Sequence, residues 1–349
     1  MTNIKIGADP EIWIVDKDKD KIISAHGLFP GTKDQPYYVD GGAVQVDGMA
    51  AEFNINPAKT AREFQWNITK VLGELRHLIH RNNPQLNFDF SFSPVAEFTQ
   101  EYMDAQPEEA KRLGCTPDFA AWNHGKANKT PDNTQLFRTA SGHIHVGWTN
   151  DEDISNDDHL EACRMLVKQL DFMVTVPLIM AMTDEQRALD AKRRKLYGRA
   201  GAYRPKHYGV EYRTPSSFWL TDPFYIKNVF EQTSRAFEDL VGGDRAYEYL
   251  KQHNTLKYIN NCNAHWLSME GHGPWLRPEP ARAAAPVGAL REFAQKVEAH
   301  VARFDNFAIN PEMLVARNVR HAVVDAPQPA LELVDIDIDE VEGWFKNED

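Results

Sequence analysis

Apolar and polar residues alternate from the first residues of the chain, through Ile4-Lys5-Ile6 and on to Ile12-Trp13-Ile14. That period of two predicts a strand over residues 3–15. The solvated run Asp16-Lys17-Asp18-Lys19-Asp20 ends it, and Ile22 to Ala25 returns as a hairpin partner. Two short strands are expected within Tyr37 to Asn56, folded about Asp47-Gly48, with Asp47 serving the turn. The period then lengthens. Phe64, Ile68, Val71, Leu72, Leu75, Leu78 and Ile79 recur at helical spacing, which predicts a helix opened by Pro57 and stopped near Arg81-Asn82-Asn83-Pro84. Leu86 to Phe92 alternates again and reads as a strand. Residues 98–135 read as loop, Phe137 to Trp148 as one strand, and Asp157 to Met182 as a long apolar-striped helix. Helices are also expected over 223–241 and 286–305, with an irregular region at Asn260 to Trp266 and an acidic tail at Asp335 to Glu342. Strands separated by long helices, with hairpins present, give an α+β fold around a largely antiparallel sheet.

The predicted strands carry polar pairs that packing does not require. Asp9 and Glu11, His143 and His145, and Glu211 and Arg213 each lie two residues apart. Side chains at i and i+2 of a strand share one face. Two carboxylates on a half-buried strand repel unless a cation joins them, and hard oxygen ligands suit magnesium or manganese. Glu52, among Met49-Ala50-Ala51 and Phe53, is expected to face Ala43 and Gln45 across the hairpin, where Gln45 would hold a metal-bound water. The two histidines also suit zinc, or one metal and one phosphate. Ser141-Gly142 before them lets another backbone come close.

Charge sharpens this picture. The net charge of −12 argues against a general nucleic-acid binder. Yet Lys192, Arg193, Arg194, Lys195, Arg199, Arg204, Lys206 and Arg213 crowd one segment. Lys192 to Lys195 read as a solvated helix face. Arg199 and Arg204 sit among Gly198, Gly201 and Pro205 in a loop, where a guanidinium fork suits phosphate oxygens. With 42% apolar residues across 349, a sizeable core is available. The three cysteines, Cys115, Cys163 and Cys262, lack metal spacing and suit a reducing compartment. A signal-peptide core and a membrane-length apolar run are both missing from the sequence, so a soluble cytoplasmic protein is expected.

The order of these motifs resembles the glutamine synthetase and glutamate–cysteine ligase superfamily of carboxylate–amine ligases. Within it, Gly7-Ala8-Asp9-Pro10-Glu11, Gly114-Cys115-Thr116-Pro117-Asp118, Ser141-Gly142-His143-Ile144-His145-Val146-Gly147 and Tyr208-Gly209-Val210-Glu211-Tyr212-Arg213-Thr214-Pro215 look like the amidoligases of tailed phages. The resemblance covers roughly residues 3–235. It implies a curved, largely antiparallel glutamine synthetase-like sheet backed by helices. It also implies a catalytic core over 1–240, a helical and irregular elaboration over 241–330 and a tail over 331–349. The implied activity uses ATP and magnesium, or manganese, to activate a carboxylate as an acyl phosphate that an amine attacks. Glu11 and Glu52 match carboxylates on one ion. Asp9, usually Glu in relatives, joins His145 or His143 and Glu211 around a second. Arg213 and one or both of Arg199 and Arg204 match arginines on phosphates, with His143 and Ser141 beside the nucleotide. Gln45 departs from the pattern, standing near the place of another metal-binding Glu. The sequence does not name the base that deprotonates the amine; Glu and Asp of 98–135 are candidates. Acid and amine substrates, small or peptidic, are the implied partners. Relatives range from single subunits to large rings, so homo-oligomers are open to this chain. The rival readings are a guanidino kinase-like phosphotransferase, a non-catalytic nucleotide-binding phage protein and a zinc hydrolase using the histidine pair.

Overall fold

Strand β1 (Lys5–Asp16) is the hub of the architecture, because it changes partners along its length. The computed structural model describes residues 4–111, 118–129, 135–248, 250 and 256–263. Residues 114–117 of the expected loop motif, Ala264 to Trp266, the helix 286–305 and the acidic tail lie outside the described residues. The first half of β1 pairs with β11 (Gly142–Gly147) and its far end with β2 (Lys21–Ile23) and β6 (Phe88–Ser91). At the changeover, Glu11 and Ile12 pair with β5 (Ala50–Ile55).

Around this hub the described residues build a sheet in which every ladder is antiparallel. From one edge run β3 (Tyr37–Val39), β4 (Gly42–Asp47), β5, β1 and β11. Then come β13 (Gly209–Tyr212), β12 (Ala202–Lys206), β8 (Phe119–Ala120) and β9 (Lys126–Ala127). A separate two-stranded sheet pairs β7 (Val95–Glu97) with β10 (Phe137–Thr139).

Three helices back the large sheet: α1 (Ala61–Asn82), α4 (Asp157–Leu170) and α7 (Pro223–Val241). Ile6, Ile12, Ile14, Phe53, Ile144, Val146, Val210 and Tyr212 point from the sheet into one core with Phe64, Ile68, Leu75, Leu166 and Val229 of these helices. A smaller core of Trp13, Met49, Ala96, Phe98, Met103, Ala110 and Ala140 lies on the other side. There α2 (Gln100–Asp104) and α3 (Glu108–Lys111) accompany β7. The strand alternation therefore separates two environments, one sealed by helices and one partly open.

Several boundaries differ from the sequence pattern for identifiable reasons. Helix α1 begins at Ala61 rather than Pro57, because Ala58 exchanges both backbone hydrogen bonds with Ile6 and Thr60 caps Glu63 N. The expected strand Phe137–Trp148 is two strands in two sheets, parted at Ala140-Ser141. The expected helix Asp157–Met182 runs as α4, a π turn (Asp171–Thr175) and α5 (Val176–Ala181). Pro177, with no N–H to donate, sits in the first turn of the last piece. Helix α6 (Asp184–Arg193) follows, with a capping box between Thr183 and Gln186. Within Tyr37 to Asn56 there are three strands instead of two. No helix of the described residues is long and apolar enough to cross a membrane.

Candidate functional site

Strand register gathers the polar pairs onto the open face. Directly opposed residues of an antiparallel ladder share a face. One row runs Gln45, Glu52, Glu11 across β4, β5 and β1. The next sets Asp9 beside His143. A third runs His145, Glu211, Arg204 across β11, β13 and β12. Gly142 makes this possible at the start of β11. A Cβ there would lie 2.3 Å from both Ser216 O and Trp219 Nε1, so the close approach expected from Ser141-Gly142 is realised by the segment 215–219.

These rows floor a cleft of about 330 Å³, within the size range of small-molecule sites. Its charge is divided. Asp9, Glu11, Asp47 and Glu52 line one bank, and Arg204, Lys206 and Arg213 line the other. The three cations converge on one carboxylate. Arg204 Nη1 lies 3.2 Å and Lys206 Nζ 2.7 Å from Glu211, and Arg213 Nη1 donates to it as well. Arg213 also donates to Asp118 Oδ2 at 3.3 Å and approaches His143 Nδ1 at 3.4 Å. Asp118, the last residue of the loop motif, is itself held by Asn128. The basic bank therefore carries more charge than Glu211 offsets.

The acidic bank carries the opposite excess. Burial and the neighbouring Asp47 push Glu11 up to about 7, although Ser141 N donates to its carboxylate at 2.7 Å. Burial and the charges of Asp9, Asp47 and Glu11 hold Glu52 well above the usual carboxylate range. Burial also acts upward on Asp9, but His145 and His143 outweigh it and hold Asp9 well below its ordinary value. Glu211 is likewise lowered, with Arg213 overcoming the effect of burial. The histidines diverge. Burial and Arg213 bring His143 down to about 4, whereas the Asp9 carboxylate raises His145 against its burial.

Among the described residues, Glu52 Oε2 and His143 Nε2 are buried without a hydrogen-bond partner. Asp9, His143 and Glu211 each offer a ligand atom, all within 4.8 Å of one another. This oxygen-rich set fits a hard divalent cation. His145 is engaged otherwise: Nε2 lies 2.8 Å from Asp9 Oδ1, and Nδ1 bonds to Tyr208 Oη. The compact trio thus includes His143, the stated alternative to His145 for this ion and also expected beside the nucleotide.

Other expectations change on the same footing. Asp47 does more than serve its turn: the turn bends at Gly48, with φ of 59°, while the Asp47 carboxylate pairs with Lys33 and lines the cleft. Arg199 is exposed and donates to Arg194 O at 3.3 Å, away from the cleft-lining residues. The solvated face assigned to Lys192–Lys195 is broken by Arg193 and Arg194, which are 0% and 2% exposed. Arg193 donates to Ser141 Oγ and to the carbonyls of Arg213, Thr214 and Pro215. Ser141 thereby joins that bracket while its backbone serves Glu11. Residues that the sequence reading did not assign to the site include Arg138, Lys33 and Lys206, all lining the cleft. Lys206 had a visible signal, since it shares strand parity with Arg204.

Residues 136–242 match the model of a family described as phage phiEco32-like COOH.NH2 ligase-type 2. The match spans β10 through α7 and includes His143, His145, Arg204, Glu211 and Arg213. The strands carrying Asp9, Glu11 and Glu52 precede it. No curated protein matches the chain.

Proposed function

We propose that this chain, which bears the signature of the phage-type carboxylate–amine ligases over residues 136–242, is an ATP- and magnesium-dependent enzyme that forms amide bonds through an acyl phosphate. The observation that carries the proposal is the divided charge of the cleft. An acidic bank suits divalent cations and a basic bank suits phosphates, side by side on one sheet face. That pairing is what phosphoryl transfer requires, because it depends on positioning and charge stabilisation more than on covalent help from the protein. The open face of an antiparallel sheet backed by helices also supports a glutamine synthetase-like arrangement.

Glu11 and Glu52 would hold one ion, and Asp9, His143 and Glu211 another, with manganese able to replace magnesium. Bound there, such ions supply charge neutralisation between phosphate oxygens. Arg213 and Arg204 orient the transferred phosphoryl group. A carboxylate oxygen of the acid attacks the γ-phosphorus, and the bond to ADP breaks. The amine nitrogen then attacks the acyl carbon, the carbon–oxygen bond to phosphate breaks, inorganic phosphate departs, and the nitrogen's proton passes to water. Asp118, a described acid of the 98–135 segment, is bound to Arg213 and positions it. Small-molecule or peptide acids and amines are the substrate class.

Arg213→Lys tests the assignment. Lysine keeps the charge beside Glu211 and Asp118 but loses the planar fork. Turnover, read as ADP release, should fall by about tenfold or more, while nucleotide affinity changes less. Unchanged turnover would make Arg213 a structural ion pair.

A further inference from the structure

Lys33 is a cleft-lining cation that sides with the acidic bank. Arg204, Lys206 and Arg213 gather on Glu211, whereas Lys33 Nζ lies 3.2 Å from Asp47 Oδ2. The backbone puts it there. Gly31 O accepts from Val46 N at 3.1 Å, one residue from Asp47, and Thr32 bridges to Val46. Gly31 has φ of 110°, and a Cβ there would lie 2.3 Å from Val44 O, so glycine is what lets the segment come this close to β4. Thr32 and Gln35 then exchange backbone hydrogen bonds of 3.0 and 3.1 Å, which leaves Lys33 in a tight loop beside Asp47.

Burial acts downward on Lys33, but Asp47, Glu52 and Glu11 outweigh it and hold its pKa above the ordinary lysine value. The ammonium therefore feels the same carboxylates that would hold a metal ion. Among the described residues, Glu52 Oε2 stays buried without a hydrogen-bond partner, so Lys33 meets only part of the bank's demand for positive charge. A divalent ion on Glu11 and Glu52 would meet the rest, and it would repel the ammonium within the same cleft. The Lys33 side chain is half-exposed, and its flexible four-carbon stem can swing outward.

We propose that Lys33 is a tethered competitor of the metal: its ammonium steadies the empty acidic bank and withdraws to solvent when a divalent ion settles on Glu11 and Glu52. Metal occupancy thereby has a threshold built into the chain. This inference rests on the metal assignment within the ligase reading.

The test is calorimetric titration of the full chain with manganese and with magnesium. Lys33→Gln should bind the ion about fivefold or more tightly than wild type, the scale of the repulsion between a unit charge and a divalent ion a few ångströms apart beside water. Lys33→Arg keeps the charge and should stay within about twofold of wild type. Lys70→Gln, which removes an exposed pair with Asp40 away from the cleft-lining residues, should also change affinity by less than about twofold. Thermal melts separate competition from a structural role. Without metal, Lys33→Gln should unfold at a lower temperature than wild type, and saturating magnesium should close the gap, because the tighter site gains more from its ion. Equal or weaker metal binding by Lys33→Gln, or a gap that persists with metal, would overturn the proposal, as would an absence of metal binding in every variant. Magnesium–ATP affinity is measured on the same samples. A wild-type protein that binds metal but no nucleotide counts against the ligase reading and leaves the Lys33 contrast standing. Unchanged metal affinity in Lys33→Gln with nucleotide binding intact sinks only the role of Lys33.

Discussion

A Glu11→Gln protein should lose magnesium-dependent ATP turnover by about 10²- to 10³-fold and yet, without metal at pH 8, unfold at a higher temperature than wild type. The two effects share one cause. Glu11 has its pKa raised in the fold, from 4.5 to about 7, by burial and by Asp47. A raised acid binds its proton more tightly in the folded state than in the unfolded one. Its contribution to stability is complete below about pH 4.5 and is lost as the pH climbs through about 7. The shift corresponds to about 3 kcal/mol at pH 8, before screening by water in the cleft. Glutamine carries no such loss, so its advantage should be present at pH 8 and vanish near pH 4.5. Magnesium should reverse the ranking, stabilising wild type more at pH 8 than at pH 5 and the variant little at either. Thermal melts at both pH values, with and without magnesium, read all of this. Normal turnover in a folded variant would remove Glu11 from the site.

Arg193→Met should lower the unfolding free energy by about 3–5 kcal/mol, the loss typical of breaking a buried charge network. The substitution strands Ser141 Oγ and the carbonyls of Arg213, Thr214 and Pro215, all of which the guanidinium now satisfies. These acceptors join β11 to the end of β13, so the bracket also fixes Arg213 opposite His143. Lys192→Met, one residue earlier, is the control. Its ammonium pairs with Glu97 at the surface, and the change should stay within about 1 kcal/mol. Urea unfolding of both variants measures the contrast. Equal stabilities would mean that the Arg193 bracket contributes nothing.

That contrast shows where sequence pattern stops being informative. Lys192 and Arg193 are adjacent cations in one basic run, and only the docking of α6 against the 213–215 segment leaves one half-buried and the other fully buried. Period-two alternation, by comparison, is a local property. It places Asp9, Glu11, Glu52, His143, His145 and Glu211 on one face without any tertiary contact, because a strand between helices and solvent must sort its side chains by parity. Helix α7 was equally legible, with Pro223 and Val241 as the expected ends. Arg138 fails by the same parity rule. In an unbroken strand over Phe137–Trp148 it would share the helix-covered side of Ile144 and Val146. The chain leaves the ladder at Ala140-Ser141, β10 joins a different sheet, and Arg138 turns into the cleft. No glycine or proline marks that break at Ala140 or Ser141; it follows from β10 pairing with β7 and from the Ser141–Ser216 bridge. Asp47 was obscured for another reason, since Asp-Gly is a sufficient turn signal and hides any second duty of the carboxylate.

The central claim, that the divided cleft joins an acid to an amine at the expense of ATP, is tested most directly by mass spectrometry. The full chain is incubated with magnesium, ATP and a mixed pool of acids, amines and short peptides. A new species is expected at the summed mass of one acid and one amine less water, with ADP formed in equal amount and neither appearing without the other. ADP released beside a stably phosphorylated acceptor, or a conjugate that forms without ATP, would contradict it.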